Sequence, residues 1–196
     1  MSTGATRALA ALVLGILWSS CMLVRNSDPT RFYVLTATVP TSSVVPGSLT
    51  IGLGPIAMPG YLRRPLLATR IDSAEIRYAD FDRWAESLPT LFARALGQDL
   101  SALLDAARIV PYPWYPATPL DAVVRVDVGA FEAESSGNAR LDACWTIRDP
   151  GTAVVRRSEC ASIAEAIGGD GRQVQVAALS RMVGELARRM AITVRS

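Results

Sequence analysis

The 196-residue chain has no histidine, no lysine and only three cysteines. Without histidine there is no Ser-His-Asp triad, no Cys-His pair and no histidine-ligated metal. Without lysine there is no Schiff-base chemistry and no Walker-type phosphate loop, so the chain is not a transporter's ATPase. Cys144 and Cys160 stand too far apart for a redox C-x-x-C, and two thiols are too few for structural zinc. A dinucleotide fingerprint is also missing, because Gly52 and Gly54 run straight into Pro55. Carboxylates are what is left for chemistry. Asp80 and Asp82 flank Phe81, and Glu132 and Glu134 share one face of a strand end. Such pairs can in principle move protons or hold a hard cation. Turn and strand-edge carboxylates are ordinarily solvated, and Asp82, Arg83 and Glu86 fit better as ion pairs around a helix entry. The expectation is a protein that is not an enzyme, with no catalytic residue, cofactor or metal.

What is present is a half-apolar chain with 19% charged residues, which favours neither disorder nor a multi-span membrane protein. All 20 basic residues are arginine against 18 acidic ones, and a net charge of +2 is too small to argue for nucleic acid. The length suits one domain plus a targeting segment. That segment is legible at the amino terminus, where Arg7 precedes an apolar run over residues 8–17 and then Trp18-Ser19-Ser20-Cys21. The run is a secretory signal in form, too short to span a bilayer comfortably. Small residues directly before a cysteine resemble the lipobox of bacterial lipoproteins, although Trp18 stands where that pattern has leucine. The resemblance implies cleavage before Cys21, acylation of its thiol and attachment to a membrane. Met22 and Leu23 follow the cysteine in place of aspartate, which by the same resemblance points to the outer membrane. The expected organisation is a signal peptide with lipobox over 1–20, a lipidated linker over 21–30 and one domain over 31–196.

Lipidation of Cys21 leaves Cys144 and Cys160 as an even pair in an oxidising compartment. Residues 140–148 and 153–161 read as strands around the turn Asp149-Pro150-Gly151. A five-residue connection centred on Thr152 would set the two cysteines opposite each other, where a cross-strand disulfide is geometrically possible. Upstream, residues 121–134 alternate, with Ala122, Val124, Val126, Val128 and Ala130 on one face, as a half-buried antiparallel strand does. Strands are also expected at 32–35, 49–56, 66–71, 75–79 and 108–112. Ser87 is a candidate cap for a helix over 88–104 that buries Phe92, Leu96, Leu100 and Leu103 and turns Arg94, Gln98 and Asp99 outward. A last helix opens near Asp170 and Gln173 and runs to about Met190, with Val176, Leu179, Val183, Leu186 and Met190 as its apolar stripe. The predicted fold is α+β: an antiparallel sheet with two amphipathic helices packed on one face. The segment 111–116 interleaves three prolines with Tyr112, Trp114 and Tyr115. It cannot be a central strand, and is either an ordered crossover with its rings on the core or an exposed contact surface.

Within residues 53–104, Gly54, Pro55, Pro59, Tyr61, Leu62, Arg64 and Pro65 are followed by a hairpin, by Phe81-Asp82-Arg83-Trp84-Ala85-Glu86 and by a helix ending Leu100-Ser101-Ala102-Leu103-Leu104. This order of uncommon residues, with the entry Pro29-Thr30-Arg31-Phe32-Tyr33-Val34-Leu35, resembles the PqiC-type auxiliary lipoproteins of ABC-type and MCE-type transport systems. The resemblance implies an outer-membrane accessory subunit that docks the end of a periplasmic lipid conduit, with an MCE-domain protein as partner. Homo-oligomerisation is possible on this reading. The alternatives are a periplasm-facing module that itself binds lipid, and a structural envelope lipoprotein with no transport role. As partner-binding residues we single out Tyr61, Leu62, Arg63, Arg64, Trp114 and Tyr115, which combine aromatic rings with guanidinium groups as interface anchors do.

Overall fold

The alternation that begins at Ala122 makes one long strand, and the sheet forms around it. The computed structural model describes residues 29–40, 49–104, 108–152 and 154–195. Its elements are β1 (Arg31–Tyr33), β2 (Thr50–Ala57), a 3-10 turn (Gly60–Arg63), β3 (Leu66–Arg70), β4 (Ile76–Trp84), α1 (Leu88–Leu103), β5 (Arg108–Pro111), β6 (Ala122–Glu134), β7 (Asn138–Arg148), β8 (Val155–Ala166) and α2 (Arg172–Arg195). Along one edge β6 pairs with β7 antiparallel, and β7 with β8. Along its other edge β6 receives β2 near its start and β3 at its end, both parallel.

Among the described residues the eight strands form one sheet in the order β1-β4-β3-β6-β2-β5, with β7 and β8 continuing from β6. The fold is α+β, as expected. The sheet is mixed, with its longest ladders antiparallel and the short β1–β4, β2–β5, β2–β6 and β3–β6 pairings parallel. Parallel pairing needs a crossover, and α1 supplies one by carrying the chain from β4 back to β5 beside β2. Both helices pack against the sheet. Phe92, Leu96, Val126, Leu141, Trp145, Leu179, Met182 and Leu186 meet in the core.

Local chemistry explains the boundaries. Ser87 accepts a hydrogen bond from the Thr90 amide and Pro89 occupies the first turn, so α1 starts where its cap predicts. β4 runs on through Phe81-Asp82-Arg83-Trp84, a stretch that reads as a separate lead-in from sequence alone. Pairing with β1 and the Trp84 amide bond to the Pro65 carbonyl (2.7 Å) hold it extended. α2 continues five residues past Met190, and Thr193 donates to the Glu159 carboxylate at 2.8 Å from that extra turn. Cys144 and Cys160 are register partners and form the disulfide, with Cα atoms 4.0 Å apart. Trp145 and Ile147 point inward from the same strand, so the bridge clamps β7 to β8 on the side away from the helices.

One expectation is overturned on α1. Asp99 is fully buried, where an outward position was expected. Its Oδ1 accepts hydrogen bonds from the Thr38 and Val39 amides, both at 2.8 Å. The same strap donates the Thr36 amide to Ser180 Oγ on α2 at 3.2 Å. Gly184 makes room for it, since a Cβ there would lie 2.0 Å from Thr38 Oγ1. The segment after β1 is thereby pinned across both helices.

Candidate docking groove

Gly52 and Gly54 on β2 explain how the proline-aromatic crossover is seated. A Cβ on Gly52 would lie 3.2 Å from two carbons of the Trp114 ring and 2.8 Å from Leu120, so the indole rests on bare backbone. At Gly54 φ is +121° and a Cβ would come within 2.8 Å of the Tyr112 Cβ, so glycine is required on both counts. Tyr112 and Trp114 pack edge to face with ring centres 5.3 Å apart. Trp114 is half-buried, Tyr112 exposed, and Tyr115 is 84% exposed. Both open readings of residues 111–116 therefore hold in part: one ring seals the sheet and two face solvent. Gly52→Val is expected to unseat the indole, increasing acrylamide quenching of tryptophan fluorescence and lowering stability by about 1–3 kcal/mol.

Beside the crossover, α1 and the β2–β5 edge leave an apolar groove. One stretch of about 540 Å³ lies against Ile56, Pro89, Ala93 and Tyr112. A second of about 290 Å³ continues past Gly97, Ser101 and Ile109. The two share Leu53, Ala93, Arg94 and Pro111. Small residues at 93, 97 and 101 recur at the helical repeat, which keeps the α1 wall low. Arg94 on the rim is held by Glu86 at 2.6 Å, and its hydrogen bond keeps the Glu86 carboxyl below the usual carboxylate range.

The other partner-binding candidates lie elsewhere. Leu62 is 2% exposed and belongs to the core, which corrects its expected place on a contact surface. Tyr61 is half-buried and gives its hydroxyl to Glu132 Oε2 at 2.9 Å. Burial, followed by the hydrogen bond to that carboxylate, pushes the Tyr61 phenol up to about 12. Arg63 donates to the Met58 carbonyl, and the Arg64 guanidinium stacks over the Tyr78 ring at 4.9 Å. Both arginines are exposed. The Tyr61 turn reaches β6 at Glu132, whereas Trp114 covers Gly52, the register partner of Val123. Nine residues of strand, roughly 30 Å, separate those two points, so the candidates form two surfaces and not one. Cys21 lies outside the described residues.

Sequence reasoning missed that Glu132 is buried and bound to Arg70 at 2.7 Å. The apolar alternation carried no signal for it, because a bulge at Gly129 shifts the register, turns Phe131 and Ala133 to the core with Leu141 and Ala139, and leaves Glu132 opposite Arg140 on the other face. Asp99 did have a signal, three residues after Leu96 and four after Ala95 on the buried stripe of α1. Among the described residues no group of acidic or cysteine side chains has the arrangement of a metal site.

The sequence model described as ABC-type transport auxiliary lipoprotein component matches residues 33–191. No curated protein matches the chain. Among solved structures, one of an uncharacterized protein is 15% identical, with a TM-score of 0.71 over 84% of this chain and 98% of its own. Protein XCC0632 from Xanthomonas campestris is 17% identical, with a TM-score of 0.65 over 84% of this chain and 97% of its own. At such identities the likeness is one of fold.

Proposed function

The chain belongs to the family of ABC-type transport auxiliary lipoprotein components, and we propose that it is a PqiC-type subunit anchored by Cys21 in the outer membrane, docking the end of an MCE-type periplasmic conduit. Residues 1–20 act as the signal, 21–30 as the tether and 31–196 as the docking domain. The role is positional and non-catalytic: a tethered domain raises the local concentration of its partner at the membrane without changing any bond. The observation that carries the docking reading is the groove between α1 and the β2–β5 edge, lined by exposed Tyr112, with exposed Tyr115 three residues on in the same crossover. An apolar trough with aromatic rings and a low helical wall fits an apolar protein segment, with the rings as anchors.

The alternative of a lipid-shielding module calls for an apolar cavity beneath the last helix. The void there, between Leu62, Trp84, Phe131 and Leu179, holds about 10 Å³, room for one water at most and far too little for an acyl chain. That observation favours docking over acyl-chain storage.

Co-purification with the MCE-domain protein of the same transport system tests the reading. Tyr115→Ala, at a side chain with almost no role in the fold, is expected to reduce recovery tenfold or more, and Trp114→Ala at least as much. Arg64→Ala, on the other surface, should leave recovery within twofold. Unchanged recovery with Tyr115→Ala and Trp114→Ala together would reject the groove as the docking site.

A further inference from the structure

The opposite end of the sheet puts large apolar side chains into solvent where the fold has no use for them. Phe32 on β1 is 66% exposed and Phe81 on β4 is 51% exposed. Phe32 lies across from Arg83 in the parallel β1–β4 pair. Asp82 and Trp84 are buried and take the helix side of β4, so Phe81 and Arg83 share the other side with Phe32. Exposed Val34 extends the patch along the chain.

The charges at this edge suit an anionic surface. Arg83 is exposed. Arg31 reaches Asp82 at 3.0 Å yet keeps most of its side chain in solvent. Asp82 is buried and also receives Arg172 and the Tyr33 hydroxyl, which leaves Asp80 as the exposed carboxylate beside Phe81. Exposed phenyl rings next to guanidinium groups are the composition of an interfacial membrane contact.

Chain order indicates what the patch meets. β1 is the first described strand, and Arg31 follows Cys21 by ten positions. Ten extended residues reach at most about 36 Å, so an acylated Cys21 would hold this edge within a linker's length of the bilayer. β2 and β3 meet the same edge of β6 at its start and its end, so the groove and the β1–β4 edge are separated along β6, by nine residues from Val124 to Ala133 or roughly 30 Å. We propose that the β1–β4 edge is a membrane-resting surface, in which Phe32 and Phe81 enter the interfacial layer of a phospholipid bilayer while Arg83 on the same face meets lipid phosphates. The orientation it imposes turns the groove toward the periplasm. The proposal rests on the reading of Cys21 as the anchor only for its geometry, and its test does not need the anchor.

The mature chain, residues 21–196 with Cys21→Ser, is mixed with sucrose-loaded vesicles of phosphatidylethanolamine and phosphatidylglycerol (3:1) at millimolar lipid and sedimented. The chain is expected to pellet with the vesicles. Phe32→Ser with Phe81→Ser is expected to weaken partitioning at least tenfold, and Arg83→Glu at least threefold, with the loss reproduced by 0.5 M salt. These side chains are exposed, so circular dichroism and the melting temperature should stay unchanged. Failure of the parent chain to pellet, or equal pelleting of the double variant, overturns the proposal. So does a loss of pelleting by Tyr115→Ser alone, which would assign the membrane to the groove end. Fatty-acid labelling of Cys21 in cells reports on the anchor separately.

Discussion

Replacing Glu132 with alanine is expected to destabilise the protein by about 3–5 kcal/mol, the usual cost of removing one partner from a buried ion pair. Glu132 has no exposed side-chain surface. Arg70 meets it at 2.7 Å and the Tyr61 hydroxyl at 2.9 Å, and the Phe131 amide donates to the same carboxylate at 2.8 Å. Alanine leaves all three donors facing a low-dielectric interior with no acceptor, and Arg70 keeps its full charge there. A guanidinium stays protonated at any ordinary pH, so it cannot escape by losing a proton. For a domain of this size the loss corresponds to a drop in Tm of roughly 6–20 °C, read by thermal melts and urea titration. The cost belongs to the orphaned partners more than to the pair. Accordingly Arg70→Met with Glu132→Leu is expected to recover more than half of the lost stability, because it removes both charges and fills the space. A single Glu132→Ala variant within 1 kcal/mol of the parent would show that water reaches the cluster and that it does not hold the 3-10 turn to β6.

The same cluster shows where sequence reading succeeds and where it stops. Periodicities were enough for β6, β7, α1 and α2, because each buries one face and a stripe of apolar residues reports that face directly. The Ser87 cap and the facing cysteines were legible for the same reason: they depend on neighbours in sequence or on a short hairpin. The parallel pairings of β1, β2, β3 and β5 were not, since each joins segments brought together only after a crossover has formed. Burial of a charged residue is harder still. Asp99 sits on a core-facing position and Glu132 on the face of β6 away from Phe131, yet a buried carboxylate at either is tolerable only if specific donors arrive, and Arg70 and the Thr38–Val39 backbone come from distant parts of the chain. The Leu62 expectation failed in the opposite sense. The turn that displays Arg63 and Arg64 does so by driving Leu62 into the core. For the groove, Gly52 and Gly54 were visible as residues, but their purpose became clear only with the Trp114 and Tyr112 rings lying on them.

Asp99 gives the second large expected effect, and pH separates its two contributions. Asp99→Ala removes the acceptor from the Thr38 and Val39 amides and opens a space between α1 and the strap, at an expected cost of about 2–4 kcal/mol. Asp99→Asn keeps a side-chain oxygen that can accept from the strap and removes the charge. Burial raises the Asp99 carboxyl above its ordinary value, against the lowering effects of the two amide bonds and of Arg188 on α2. With the folded value raised, the native state holds this proton more tightly than the unfolded chain does. The favourable contribution is therefore complete below the unfolded value of about 3.9 and is lost as pH rises through the raised folded value, above which the buried charge carries its full desolvation cost. The parent protein should lose stability relative to Asp99→Asn as pH rises across that window, and the gap should be constant above it. Urea titrations of the parent and both variants at several pH values between 3 and 7 measure this. An Asn variant that tracks the parent at every pH would mean the carboxylate is as well solvated folded as unfolded, and that the strap is held by its hydrogen-bond geometry alone.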